Sequence, residues 1–128
     1  MLSGSFFEIQ SFTSDSLAQE TCKIHAVVSL ISNHPVYQGH FPGNPVVPGV
    51  CQIQMVRELV EKALKHPVKL TESDNIKFLS IINPQINSKL DFDISLRNTG
   101  DQKFAATASI GNGTTVFLKF KGKFDSSG

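Results

Sequence analysis

The sequence lacks tryptophan and contains little cysteine, and the scarcity of cysteine argues against two classes of small protein. Cys22 and Cys51 are too few to hold a disulfide-linked scaffold together. No group of cysteines and histidines has the spacing of a zinc-finger motif. We therefore expect two free thiols and no bound metal.

An excess of charge of one sign and long apolar runs are also missing. The 128 residues include 12 Lys and Arg against 11 Asp and Glu, so the net charge of +1 gives no electrostatic bias toward nucleic acid. No apolar stretch approaches the ~18 residues that span a bilayer, and the first residues lack the basic start of a signal peptide. We expect a cytoplasmic protein that binds neither nucleic acid nor a membrane, with one domain over residues 1–128.

Five segments have the β-branched, partly alternating composition of strands. Gly111–Gly113 separates the last two and predicts a hairpin, and Asn98–Asp101 predicts a tight turn before them. The C-terminal half is therefore expected to be an antiparallel meander, followed by a disordered tail at 125–128. The five predicted strands are Thr21–Ser32, Asn75–Ile82, Lys89–Arg97, Lys103–Ile110 and Thr114–Phe124.

One segment, Val47–Lys65, has apolar residues at helical spacing, and Pro67 follows as a stop signal. A single helix followed by a meander predicts an α+β fold in which the sheet wraps around or stacks on the helix. One stripe of the helix is polar and would face water in an isolated helix. This polar stripe consists of Gln54, Arg57, Glu58 and Glu61.

The segment before the helix, Gly39–Gly49, contains three prolines and three glycines within eleven positions. The prolines restrict the backbone, so His40 is expected to lie on a stiff loop. Gly49 opens the helix without a side chain, and its N–H is a free donor where the helix dipole favours negative charge. A histidine base and an N–H donor together suit removal of a proton α to a thioester carbonyl. If a β-hydroxyl is to leave, a third group, normally a carboxylic acid, should protonate it.

The run GHFPGNPVVPGV, Gly39–Val50, resembles the signature of the FabZ/FabA-like 3-hydroxyacyl-[acyl-carrier-protein] dehydratases. The stretch Asp74–Leu96 is similar to the strand–Pro–strand segment of the same family. The resemblance implies a hot-dog fold, α+β, with one long central helix wrapped by a curled antiparallel sheet. It also implies a homodimer whose sheets join edge to edge, with further assembly into a dimer of dimers or pairing with a homologue left open.

The resemblance implies a catalytic role for His40 as the base and for Gly49 as the oxyanion donor, each site taking His40 from one chain and a helix residue from the other. The family's helix acid falls on Gln54, which is expected to take part in catalysis by holding the β-hydroxyl, because an amide orients a hydroxyl but delivers no proton at neutral pH. Glu58, one turn further on, is a substitute acid. The substrate-binding residues are expected to be Phe41, Pro42, Pro48 and Val50.

Three functions follow from this pattern. The leading one is elimination of water from a 3-hydroxyacyl thioester, carried on acyl carrier protein or coenzyme A, in fatty acid, aryl polyene or polyketide-like synthesis. The second is a hot-dog thioesterase in which Gln54 or Glu58 positions a hydrolytic water. The third is an acyl-binding or heterodimer partner that has lost the acid. None of the three needs a cofactor.

Overall fold

A computed structural model describes residues 2–15, 21–35 and 45–126 of the chain. Its six strands form one antiparallel sheet in the order β1-β2-β4-β5-β6-β3, so β1 and β3 are the edge strands. A single helix, α1, packs against β2, β3 and β4. The elements are β1 (Phe7–Ser14), β2 (Thr21–Leu30), α1 (Gly49–Leu64), β3 (Lys69–Phe78), β4 (Lys89–Gly100), β5 (Lys103–Gly111) and β6 (Val116–Asp125).

The core lies between α1 and one face of the sheet. Strands β2, β4 and β5 alternate between buried apolar and exposed or half-buried residues, so one face of each is apolar. The helix contributes a buried stripe at helical spacing that meets this face. The buried apolar residues of α1 are Met55, Val56, Leu59 and Val60.

The hot-dog architecture that the resemblance implied is confirmed as one helix on a six-stranded antiparallel sheet. The helix begins at Gly49 rather than Val47, because Pro48 is the extended residue that caps it. The expected β5–β6 hairpin is present. Asn112 closes it, since its Oδ1 accepts hydrogen bonds from the backbone N–H groups of Thr114 (3.1 Å) and Thr115 (2.8 Å).

The predicted strand Asn75–Ile82 is wrong in both bounds, since β3 runs from Lys69 to Phe78. Only Leu70 and Ile76 of β3 are half-buried and the rest are exposed, so an edge strand of this kind carries little apolar alternation. The apolar residues after Phe78, which suggested a strand, belong instead to the segment that crosses the start of the helix.

Two further corrections concern the chain ends. Strand β1 was not predicted, because a register shift between Ile9 and Ser11 interrupts its alternation. The expected disordered tail is wrong for its first two residues. Asp125 ends β6, and the buried Ser126 binds the carbonyl of Gln102 through both its N–H (2.9 Å) and its hydroxyl (3.0 Å). Residues 127–128 lie outside the described residues.

Smaller differences affect the remaining bounds. Strand β2 ends at Leu30, two residues before the predicted end, and β4 continues through the predicted turn to Gly100. The turn is formed one step later, where Gly100, Asp101 and Gln102 have positive φ angles. Within the described residues, no helix is long and apolar enough to cross a membrane.

Candidate functional site

The site is built around the first turn of α1. Pro48 caps the helix with extended backbone (φ −60°, ψ 146°), and in the described part of the chain no side chain bonds to the free N–H groups there. The N–H groups of Cys51 and Gln52 bond to the Pro48 carbonyl, at 3.0 and 3.1 Å. Those of Gly49 and Val50 have no acceptor within the helix, because they precede its first complete turn. Since the first turn also carries no acidic residue, its partial positive charge is available to an incoming oxygen.

The segment after β3 fixes the position of this turn. The N–H of Val47 donates to the Ile82 carbonyl (2.8 Å), and the N–H of Leu79 donates to the Phe117 carbonyl of β6 (2.8 Å). The two bonds hold the 79–82 segment between the sheet and the helix start. A cavity of about 410 Å³ lies there, lined by Val46, Val47, Gly49, Gln52, Phe78, Leu79, Ser80 and Ile81.

Phe78 lies directly over Gly49. A Cβ atom placed on Gly49 would be 2.7 Å from Cζ of the Phe78 ring, which is closer than carbon atoms approach without displacement. The absence of a side chain at Gly49 therefore lets an aromatic ring reach the backbone of the helix start. Phe78 is 53% exposed, so the ring is not locked by surrounding atoms.

Gln54 and Glu58, the residues that stand for the helix acid, are joined by a hydrogen bond. The Gln54 Nε2 donates to Oε2 of Glu58 at 3.0 Å, as expected for side chains one helical turn apart. The structure therefore brings the predicted amide and the predicted substitute acid together.

Glu58 is buried in the folded chain, although its stripe would face water in an isolated helix. Its side chain is only 5% exposed because the N-terminal segment folds over it. Oε2 accepts the N–H of Leu2 at 2.7 Å, and Oε1 accepts the N–H of Ser3 at 2.9 Å. With Gln54, three N–H donors surround this carboxylate, which is how a buried charge is normally satisfied.

Both cysteines are free thiols, as the sequence predicted. Burial raises the pKa of the Cys51 thiol, although the residue lies in the first turn of α1. Burial, with a smaller effect from Asp15, also raises the pKa of Cys22. Cys51 therefore packs as a small apolar side chain beside the site.

Three of the predicted site residues, His40, Phe41 and Pro42, lie outside the described residues. Pro48 is half-buried at the helix cap, and Val50 is 77% exposed beside Gly49.

Sequence reasoning missed two neighbours of Gly49, the buried Gln52 and the aromatic Phe78. Helical spacing could have predicted Gln52, because it lies three residues after Gly49 and hence on the same helix face. Nothing in the sequence pattern predicted that Phe78 lies over the start of the helix.

A second depression, of about 770 Å³, lies on the outer face of the sheet. His25 and Asp93 line it with Nε2 and Oδ1 4.0 Å apart, and both side chains are at least half exposed. Lys23 and Lys119 are also in its lining. Its lining comes from the strands and from Asp15, which directly follows β1, and includes no residue of α1. Among the residues described, no group of three histidine, cysteine or acidic side chains is arranged to hold a metal ion.

A curled antiparallel sheet on one helix is the architecture of hot-dog proteins, and two solved structures share it. The dehydratase heterocomplex ApeI:P from Xenorhabdus doucetiae aligns with a TM-score of 0.58 at 18% identity, over 88% of this chain and 94% of that one. A putative thioesterase from Lactococcus lactis, yhdA, aligns with a TM-score of 0.66 at 10% identity, over 91% and 90%. At such low sequence identities the structural similarity establishes the fold but does not distinguish a dehydratase from a thioesterase.

Sequence similarity then identifies the family. Residues 16–116 match the ApeI-like family, described as ApeI dehydratase, and the chain belongs to this family. A curated relative is the 3-hydroxyacyl-[acyl-carrier-protein] dehydratase FabZ of Novosphingobium aromaticivorans. It is 28% identical over 107 residues, which is 77% of this chain and 68% of the relative.

Proposed function

We propose that the protein eliminates water from a 3-hydroxyacyl thioester to give a trans-2-enoyl thioester. The observation that carries the proposal is the glycine-opened N-terminus of α1, whose free N–H groups border an apolar-walled cavity of about 410 Å³. A thioester carbonyl at the Gly49 N–H would be stabilised as its oxygen gains negative charge. Membership of the ApeI-like dehydratase family supports the same reaction.

In the proposed mechanism His40 removes a proton from the carbon next to the carbonyl. The electron pair moves onto the carbonyl oxygen, where the Gly49 N–H donates to it. The C–O bond at the β carbon then breaks as the double bond forms, and the hydroxyl leaves as water after it gains one proton. The reaction is balanced, since one proton leaves carbon and one joins the leaving oxygen.

The source of that second proton distinguishes this chain from a dehydratase with a carboxylic acid on the helix. Gln54 orients groups by hydrogen bonding, and its Nε2 is held by Glu58. Glu58 remains the predicted substitute acid, but both of its oxygens already accept N–H groups, two from the N-terminal backbone and one from Gln54. We therefore favour a positioning role for Glu58 and return of the proton by the histidine that removed it.

The acyl group is proposed to arrive on acyl carrier protein. The support is that curated relatives of the chain are dehydratases that act on a 3-hydroxyacyl group on that carrier. A coenzyme A thioester presents the same reacting atoms, so the two carriers should differ in affinity and share the chemical step.

The site is proposed to lie between two copies of the chain. Phe78, Leu79 and Ile81 form an apolar surface that is 53%, 51% and 69% exposed, and we call it the 78–81 surface. It begins at the last residue of β3, an edge strand with an unpaired side available to a second copy. Pairing of two β3 edges would cover this surface and close the cavity beside Gly49.

The test measures the ultraviolet absorbance of the conjugated enoyl thioester when purified protein is incubated with a 3-hydroxyacyl-carrier thioester. We expect absorbance to appear with the parent and with Glu58→Gln, and to disappear with His40→Ala. Loss with Glu58→Gln, in a variant that remains folded, would instead identify Glu58 as the acid. Release of free thiol without enoyl absorbance would overturn the proposal in favour of a thioesterase.

A second candidate function is that of a subunit that completes a heterodimer with a homologue bearing the acid. It is favoured by Gln54, whose amide replaces a proton donor, and by the ApeI:P structure, which is a heterocomplex. This candidate predicts no enoyl product from the parent alone and a gain of activity with Gln54→Glu. Activity of the parent alone would contradict it.

A further inference from the structure

Gln52 has a buried amide that is only half satisfied. The side chain is 4% exposed, and its Nε2 donates to the Val47 carbonyl at 3.2 Å. Its Oε1 is buried and has no hydrogen-bond partner among the described residues. Because the Nε2 bond fixes which way the amide faces, Oε1 remains an acceptor without a donor, which is costly in a protein interior.

This acceptor belongs to the cavity at the helix start. Gln52 lies three residues after Gly49 on the same helix face, and both line the cavity with Phe78. The bond to Val47 directs the amide back toward the residues that precede the helix. The helix start therefore offers N–H donors and one buried carbonyl acceptor to the same ligand.

We propose that Oε1 of Gln52 accepts the hydrogen of the substrate's 3-hydroxyl group while the Gly49 N–H donates to the thioester carbonyl. This inference rests on the proposed function and makes Gln52 a specificity-determining residue. In the substrate, a single carbon atom separates the carbonyl carbon from the carbon that bears the hydroxyl. The Gly49 N–H and the Gln52 side chain belong to one helical turn, so this donor and this acceptor match the carbonyl and the hydroxyl. An acyl chain without the hydroxyl would leave Oε1 unpaired.

Phe78 controls the approach to this pair of groups. In the structure its ring covers Gly49, at 2.7 Å from the position of a Cβ atom. A bound thioester would take the place of the ring, which is half exposed in the single chain and so is not locked by surrounding atoms of that chain.

The size of the selectivity follows from the energy of an unpaired buried group. Leaving a buried acceptor unsatisfied costs about 1–3 kcal/mol, which corresponds to roughly tenfold or more in affinity. Sites built to bond a substrate hydroxyl reject the analogue without it for the same reason. We therefore expect a 3-hydroxyacyl ligand to bind about tenfold or more tightly than its saturated analogue.

The experiment uses unreactive probes, octanoyl and (3R)-3-hydroxyoctanoyl pantetheine amides, in which nitrogen replaces the thioester sulfur. Their affinities for the full chain, Gln52→Met and Gln10→Met are measured by isothermal titration calorimetry. The parent and the exposed-site control Gln10→Met should prefer the hydroxyl probe, whereas Gln52→Met should bind both probes alike. Retention of the octanoyl affinity by Gln52→Met shows that the variant is folded.

A (3R)-3-fluorooctanoyl probe on the parent gives a measurement that needs no variant. Fluorine is close to a hydroxyl in size and donates no hydrogen bond, so this probe should bind no more tightly than octanoyl. Equal binding of the hydroxyl and octanoyl probes by the parent, or a preference that survives in Gln52→Met, overturns the inference. Failure of every probe to bind the parent overturns the proposed function as well.

Discussion

At the scale of single residues, α1 contains three polar side chains with different surroundings. Gln52 is buried with one unpaired oxygen, Gln54 is held by its neighbour, and Glu58 accepts three N–H groups. Sequence spacing placed Gln54 and Glu58 on one stripe but could not show their burial. That depends on the N-terminal segment, which is more than fifty residues away along the chain.

Glu58→Gln should lower the free energy of unfolding by about 1–3 kcal/mol, because the variant replaces one carboxylate oxygen with an NH₂ group that faces a donor. Urea denaturation with circular dichroism measures this loss. Glu8→Gln is the matched control, since Glu8 is exposed on β1 and the same change there should have little effect. Equal stability of the two variants would contradict a stabilising role for the hydrogen bonds between Glu58 and the N-terminal backbone.

Cys51 should react slowly with iodoacetamide at neutral pH. Burial raises the pKa of its thiol, so at any pH below that value the reactive thiolate fraction is smaller than for an ordinary cysteine. Its alkylation rate should therefore continue to rise above the pH at which an unperturbed thiol levels off. Peptide mass spectrometry of the folded and urea-unfolded chain compares the two rates. Faster alkylation in the folded chain at pH 7 would mean that the helix N-terminus outweighs burial.

At the scale of elements, the strongest sequence patterns identified the correct elements. The alternation in β4 and β5 and the apolar stripe of α1 reflect burial against one core, so each pattern alone predicted its element. Strand β3 was misplaced because its position depends on backbone pairing with β6, which polar side chains tolerate at an edge. Composition therefore predicts a buried strand better than an edge strand.

Gly122→Ala should weaken the pairing of β3 with β6. A Cβ atom at Gly122 would lie 2.5 Å from the Glu72 carbonyl oxygen and 2.7 Å from the Phe120 ring, between the two register shifts of β3. We expect a loss of roughly 1–3 kcal/mol in the free energy of unfolding. Amide hydrogen exchange should accelerate first in β3. Lys121→Ala, at an exposed position of the same strand, is the control, and equal exchange in both variants would contradict the expected clash.

At the scale of the whole molecule, the free edge of β3, the 78–81 surface and the cavity beside Gly49 are adjacent. In a single chain the open edge and the exposed apolar side chains would favour non-specific association. One contact with a second copy would cover both features and exclude water from the cavity. Assembly and the proposed activity should therefore depend on the same residues.

Leu79→Glu should convert a dimer into a monomer, because it places a charge on the apolar surface that the second copy would cover. Ile86→Glu is the matched control, since Ile86 is 77% exposed but lies outside the lining of the cavity. Sedimentation equilibrium at several concentrations should give a dimer for the parent and Ile86→Glu, and a folded monomer for Leu79→Glu. If the site lies between two copies, that monomer should also lose enoyl formation. A parent that is monomeric at every concentration and still forms product would instead require each chain to carry a complete site, with His40 and the Gly49 N–H meeting in one copy.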